Sequence, residues 1–155
     1  MALTLVAIGR DGVCSDPGSE LGRDLALEPG TAAAVCQATA DMYRTTGFTP
    51  PWTGYLAVSA GKVVGTCAFK GAPSDGAVEI AFFTFPGQEG QGIATAMVRQ
   101  LIDIAYATDR SLKIIAHTPP ERSAANAILR KIGFLLLGDW EDPVEGTVWE
   151  WEYIR

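Results

Sequence analysis

The sequence predicts an α+β (mixed α/β) fold, one sheet with helices packed on its faces, and three patterns lead there. A hairpin pattern runs from Tyr55 to Phe69, an apolar strand follows at 77–85, and from Gly92 onward helical patterns alternate with short β-rich runs. A meander that passes into strand–helix alternation describes a mixed sheet covered by helices. With 155 residues, the chain has the size of one domain, so a single unit over residues 1–155 is expected.

Leu3 to Ile8 has strand propensity, whereas the stretch from Gly9 to Gly30, rich in Gly, Asp, Ser and Pro, reads as a long connection. Ala34, Val35, Ala38, Met42 and Tyr43 recur at helical spacing, and Gly47 with Pro50 and Pro51 ends the pattern, predicting a helix over 31–46. Tyr55–Val58 and Val63–Phe69 flank a tight turn at Ala60, Gly61 and Lys62, which is a β-hairpin. The run 77–85 is a third strand, closed by Pro86 and Gly87 and carrying one carboxylate, Glu79. From Gly92, Ile93, Met97, Leu101 and Ile104 form one helical stripe. Residues 112–117 read as a buried strand, 121–131 as a helix stopped by Gly133, 134–137 as a strand and 148–153 as the last strand.

Twelve Lys and Arg against eighteen Asp and Glu give a net charge of −6, a field that repels phosphate backbones and anionic lipid. Nucleic acid and membrane are therefore not expected as partners, and a cationic or amine-bearing substrate suits the charge. Met1 to Ile8 lacks the basic start of a secretory signal, and no apolar run approaches the roughly 20 residues needed to span a bilayer. Cys14, Cys36 and Cys67 are widely separated and have only His117 as an imidazole companion, so no metal site is expected. Cys36 and Cys67 read as small buried hydrophobes, and reduced thiols with a cytoplasmic location follow as the default.

The segment most informative about chemistry is Gln88-Glu89-Gly90-Gln91-Gly92-Ile93-Ala94-Thr95, between a predicted strand and the best helix. Gly90 and Gly92 remove side chains that would keep a phosphate from the main chain, and a helix start presents unpaired N–H groups and a positive dipole end. A pyrophosphate can be held this way by an acidic protein, although a glycine pair before a helix is also a common tight turn. The lysine and hydroxyl of a P-loop and the three-glycine Rossmann spacing are both absent, which disfavours a nucleoside triphosphate or a dinucleotide.

Val78-Glu79-Ile80-Ala81, Pro86 and Gly90-Gln91-Gly92-Ile93-Ala94-Thr95, then Ile115-Ala116-His117-Thr118, then the run from Ala124 to Phe134, together resemble the GNAT superfamily of N-acetyltransferases. Within it they are similar to the ribosomal-protein-alanine acetyltransferase branch. The resemblance covers roughly 55–153; the first fifty residues match poorly. It implies a central mixed, mostly antiparallel twisted sheet flanked by helices on both faces. It also implies acetyl transfer from acetyl-CoA to a primary amine, on a peptide N-terminus or a small molecule, by direct attack in a ternary complex without a metal. Carried over by position, the main chain of Glu89, Gly90, Gln91, Gly92, Ile93 and Ala94 would bind the pyrophosphate, and Thr95 would add a hydroxyl. The main chain at Phe82, Phe83 and Thr84 would pair with pantetheine as an added strand, and Asn126 matches a further, less diagnostic coenzyme position.

The sequence departs from that pattern at four places. Glu89 stands where the loop usually opens with Gln or Arg, Arg122 where many relatives have a coenzyme-contacting Asn, Leu129 where many have a Tyr general acid, and Ala125 where some have Ser. The missing Tyr, Ser and Asn favour an alternative reading, a non-catalytic coenzyme-A-binding sensor or interaction module on the same fold. Glu79 is the leading catalytic base; it equally suits a substrate-binding anion or a solvated strand residue. His117 has the intrinsic pKa for proton transfer and also fits a hydrogen-bonded histidine at a sheet edge. Trp52, after Pro50 and Pro51, is expected to line the acceptor site. Trp149 and Trp151 share a strand face and suit core or a subunit interface, compatible with a homodimer. The acidic stretch 139–145 reads as a solvated hairpin turn.

Overall fold

The computed structural model describes residues 3–13 and 31–154. Cys14 and most of the connection expected over 9–30 lie outside the described residues. The elements are β1 (Thr4–Ala7), α1 (Thr31–Thr46), β2 (Gly54–Ser59), β3 (Lys62–Phe69), β4 (Ala77–Thr84), α2 (Ile93–Thr108), β5 (Lys113–Thr118), α3 (Ala124–Ile132), β6 (Phe134–Asp142) and β7 (Gly146–Tyr153). The seven strands form one sheet in the order β1-β2-β3-β4-β5-β7-β6. All neighbours are antiparallel except β4 and β5, which are parallel. This is the mixed, mostly antiparallel α+β sheet that the sequence predicts.

Alternation along the strands assigns the two faces. On β2, Leu56 packs with Val6, Ile8 and Cys36, with Val35 of α1 against them, whereas Tyr55 and Ala57 join the larger core. Successive strand side chains point to opposite faces, so α1 covers one face over β1, β2 and the start of β3. The larger core lies on the other face, where Met97, Val98 and Leu101 of α2 and Leu129 of α3 meet Val78, Ile80, Ile114, Ala116 and Trp151. The helical stripe read in the sequence is the reason: Ile93, Met97 and Leu101 are all buried. Trp151 is fully buried and Trp149 packs against the same core, which places both on the helix-covered face.

Tyr43 locks α1 onto the sheet. Its hydroxyl donates to the carbonyl of Ile8 at 2.8 Å and accepts from the N–H of Gly54 at 2.8 Å. One side chain thus satisfies main-chain groups of both β1's exit and β2's entry.

Three expectations need correction. The acidic stretch 139–145 is not wholly a turn, because β6 continues to Asp142, paired as Trp140↔Val148, Glu141↔Thr147 and Asp142↔Gly146. Cross-strand pairing outweighs the poor strand propensity of Asp and Glu. Helix α3 begins at Ala124 rather than 121, since the Ser123 hydroxyl accepts the Asn126 N–H as an N-cap. Trp52 does not line an open acceptor site. It is 7% exposed in the larger core, edge-on to Phe69 at 5.0 Å.

Tyr43→Phe is expected to lower stability by about 1–3 kcal/mol, because a buried N–H of Gly54 loses its acceptor. Urea denaturation of the two proteins measures the difference, and an unchanged midpoint would refute the lock.

Candidate functional site

The parallel pair β4–β5 is short. Its register runs from Ala77↔Lys113 to Ile80↔Ala116 and stops. Beyond that point Ala81 to Thr84 remain paired with β3, and His117 and Thr118 remain paired with β7. The two strands part in the middle of the sheet, and β4 gains a free edge there.

The main-chain hydrogen bonds show which groups face the gap. The Glu79 carbonyl accepts from Lys70 N–H at 2.8 Å and Phe85 N–H donates to Val64 at 3.0 Å, so odd-numbered residues of β4 bond toward β3. With a period of two, Phe82 and Thr84 turn their N–H and C=O into the gap. Phe83 spends its main chain on β3 and offers the gap no strand-pairing groups. Its ring is half exposed.

The chain leaves β4 through a loop into α2. Gly92 is the N-cap of α2 at φ 78°, with no side-chain cap, and Gly90 also has positive φ, 79°. A Cβ built at Gly90 or Gly92 would meet nothing within 4 Å, so both open onto free space. The first N–H groups of α2, on Ile93, Ala94 and Thr95, therefore face that space as uncapped donors at the positive end of a helix dipole. The side chains of Ile93 and Ala94 are buried, which leaves only their main chain to offer. Glu89, the unfavourable residue beside an anion, turns back on its own loop: its Oε1 accepts from Gly87 N–H at 2.7 Å. A pyrophosphate fits such a cradle, and an extended pantetheine arm fits the free edge of β4.

On the face away from α2 and α3, at the vertex of the gap, charged side chains converge. His117 Nε2 lies 2.9 Å from Glu150 Oε2 and Nδ1 lies 3.2 Å from Glu79 Oε2. Lys70 Nζ is 3.3 Å from the same Glu79 oxygen. The side chains of His117, Glu79 and Glu150 are 12%, 23% and 21% exposed, so the group is sheltered without being sealed. The indole of Trp140 stacks on the imidazole, with centroids 5.8 Å apart and planes 10° apart. Such a cluster can hold a cation, accept a proton from it, and pass that proton along the imidazole. Among the described residues no group of three His, Cys, Asp or Glu side chains is arranged to hold a metal ion.

The structure thus brings Glu79 and His117 together at the gap, and it sets the Gly90–Thr95 main chain at the start of α2. Asn126 is directed elsewhere. It is 6% exposed, and its Nδ2 donates to the carbonyls of Pro119 and Glu121, fastening the loop before α3. Leu129, in the place of the general-acid Tyr, is fully buried in the core. Lys70, Glu150 and the stacking role of Trp140 were missed from sequence. Strand alternation did carry a signal for Glu150: flanked by two core tryptophans, it must face the opposite side of the sheet.

The family model described as an acetyltransferase (GNAT) domain matches residues 19–135. No curated protein sequence matches the chain. Among solved structures, a spermidine N-acetyltransferase chimera from Vibrio cholerae and hSSAT is 16% identical over 99% of this chain and 96% of that one, with a TM-score of 0.67. An acetyltransferase from Salmonella typhimurium, described as modifying the N-terminal serine of a 50S ribosomal subunit protein, is 18% identical over 79% of this chain and 73% of that one, at TM-score 0.61. The aminoglycoside acetyltransferase AAC(6')-Ib in complex with coenzyme A is 23% identical at TM-score 0.57, and the match covers 66% of each chain. The chain thus spans just under two thirds of the length of that enzyme. At these identities the likenesses establish the fold.

The hairpin that carries Trp140 ends in Asp142, whose carboxylate accepts from the N–H groups of Val144 at 2.8 Å and Glu145 at 2.9 Å. These main-chain bonds, first that of Glu145, hold its pKa below the usual value, and the charges of Lys70 and His117 act in the same direction. A depressed carboxylate pKa stabilises the tip above the ordinary carboxylate range, and the effect disappears as the pH falls through the lowered value. Hydrogen-exchange protection of the Val144 and Glu145 amides should accordingly drop across that acid window. Asp142→Ala should show the low protection already at neutral pH; full protection in this variant would refute the assignment.

Proposed function

The chain belongs to the GNAT acetyltransferase family, and from that premise we propose that it transfers an acetyl group from acetyl-CoA to a primary amine by direct attack in a ternary complex. The observation that carries the reading is the parting of β4 from β5, which sets a free strand edge, an uncapped helix start and an acid–imidazole cluster around one gap.

Acetyl-CoA supplies a thioester, an acyl group already activated toward an amine. The protein's share is positioning and charge. The N–H groups of Ile93, Ala94 and Thr95 hold the pyrophosphate, and the main chain of Phe82 and Thr84 pairs with the pantetheine arm. Glu79 sits two residues before Ala81, where the free edge begins, so it receives the ammonium of the acceptor and removes its proton. Lys70 beside it limits the negative charge that Glu79 presents to solvent.

The acceptor is an amine-bearing small molecule or peptide, in keeping with the net charge of −6 and the carboxylates at the gap. For a cytoplasmic location, the support is that Cys67 is a free, buried thiol. For a homodimer, it is the half-exposed Leu135 and Leu137 on the edge strand β6. The alternative, a coenzyme-A-binding module without turnover, is favoured by Leu129 and Ala125, which put no hydroxyl on α3 at the family's positions. Following thioester consumption with a panel of amines separates the two readings.

Gly92→Val should abolish measurable coenzyme A binding in calorimetry, since a β-branched residue at positive φ is strained and its side chain enters the cradle. Binding at wild-type strength would reject the loop assignment. Glu79→Gln should lower kcat by about 10²-fold or more, the usual share of a general base, with little change in the KM for acetyl-CoA. Turnover unchanged at every pH tested would remove Glu79 from the mechanism.

A further inference from the structure

We propose that Glu150 is a positioning residue that acts through His117 and fixes where the proton taken from the acceptor amine is held, an inference that rests on Glu79 being the group that receives that proton. The placement follows from β7. Trp149 and Trp151 point to the helix-covered core, so Glu150 points to the opposite face, and the register His117↔Glu150 sets it beside the imidazole.

The hydrogen-bonding logic is restrictive. An ionised carboxylate only accepts, so the 2.9 Å contact between Nε2 and Glu150 Oε2 requires hydrogen on Nε2. In the neutral ring Nδ1 is then a lone pair. It is buried with no hydrogen-bond partner, and it lies 3.2 Å from Glu79 Oε2. The two acceptors are close enough to exchange one proton once the ring and the carboxylate swing into line, since at present Nδ1 is not aimed at Oε2.

The proton exchanged is the one passed from the acceptor ammonium to Glu79 Oε2. The O–H bond so formed breaks as the N–H bond forms at Nδ1, leaving Glu79 again a carboxylate and His117 an imidazolium between two carboxylates. Nε2–H stays on Glu150 throughout, so Glu150 both selects the tautomer and balances the positive charge. The charged groups around the ring are Glu79 from β4, Glu150 from β7, Lys70 following β3, which pairs with Glu79, and Asp142 at the end of β6. Trp140, stacked on the imidazole, restricts its rotation.

The test uses the fact that His117 is the chain's single histidine. In the ¹⁵N-labelled protein, the two imidazole nitrogen signals belong to it without further assignment. The neutral ring is expected in the Nε2–H tautomer in the wild-type protein. Glu150→Ala is expected to lose that bias and to lower kcat about tenfold, a fraction of the 10²–10⁴ that acid–base catalysis supplies, with the KM for acetyl-CoA unchanged. An Nδ1–H tautomer in the wild-type protein overturns the proposal, as does Glu150→Ala with tautomer and kcat both intact. Failure of the underlying reading looks different: Glu79→Gln then keeps full turnover, whatever tautomer His117 shows.

Discussion

The parting of β4 and β5 is the constraint on which the rest depends. Within a continuous sheet every strand N–H and C=O is occupied by a neighbour, and such a surface offers nothing to a ligand's main-chain-like groups. Here the parallel pairing ends at Ile80↔Ala116, while β3 and β7 keep the outer sides of the two strands ordered. The opening is therefore flanked by paired strands, and Phe82 and Thr84 turn their N–H and C=O groups into it. The site's architecture follows from that geometry: the helix start lies at the end of β4's exit loop, and the acid–imidazole group lies at the vertex.

Under the proposed function, an acidic chain takes an anionic co-substrate without a general positive field. The loop before α2 would solve this locally, through main-chain donors exposed by glycine and aligned with the helix dipole. Glu89 illustrates how such a loop tolerates a carboxylate. By accepting from Gly87 N–H, it binds a donor upstream of the helix start, and the amides of Ile93, Ala94 and Thr95 are left clear of it. The negative charge of the chain as a whole would then be free to serve the other proposed reactant, an amine.

The β6–β7 hairpin joins the two faces of the molecule in one element. Its tryptophans at 149 and 151 fill the core beneath the sheet, and the Trp151 indole N–H is satisfied by the Thr118 hydroxyl at 2.9 Å. The intervening Glu150 reaches His117 on the other face, and Trp140 covers the imidazole from across the hairpin. Packing on one side therefore fixes polar geometry on the other: a shift of β7 by one residue would exchange the two sets.

Much of this was legible in the sequence, because local patterns have local causes. The stripe of Ile93, Met97 and Leu101 determined α2, the glycines at 90 and 92 determined an open helix start, and the run around Glu79 determined a strand with one carboxylate. The extent of β6, the burial of Trp52 and the inward turn of Asn126 were decided by tertiary structure. In each case a partner distant in sequence, β7, Phe69 or the loop carbonyls of Pro119 and Glu121, outweighed what the neighbours in sequence suggested. The same holds for the site. Sequence named Glu79 and His117 separately, but their meeting, with Lys70, Trp140 and Glu150 around them, depends on strand order and register, which bring residues from 70 to 150 within a few ångströms. Periodicity fixes which way a side chain faces; only the folded sheet decides what it faces.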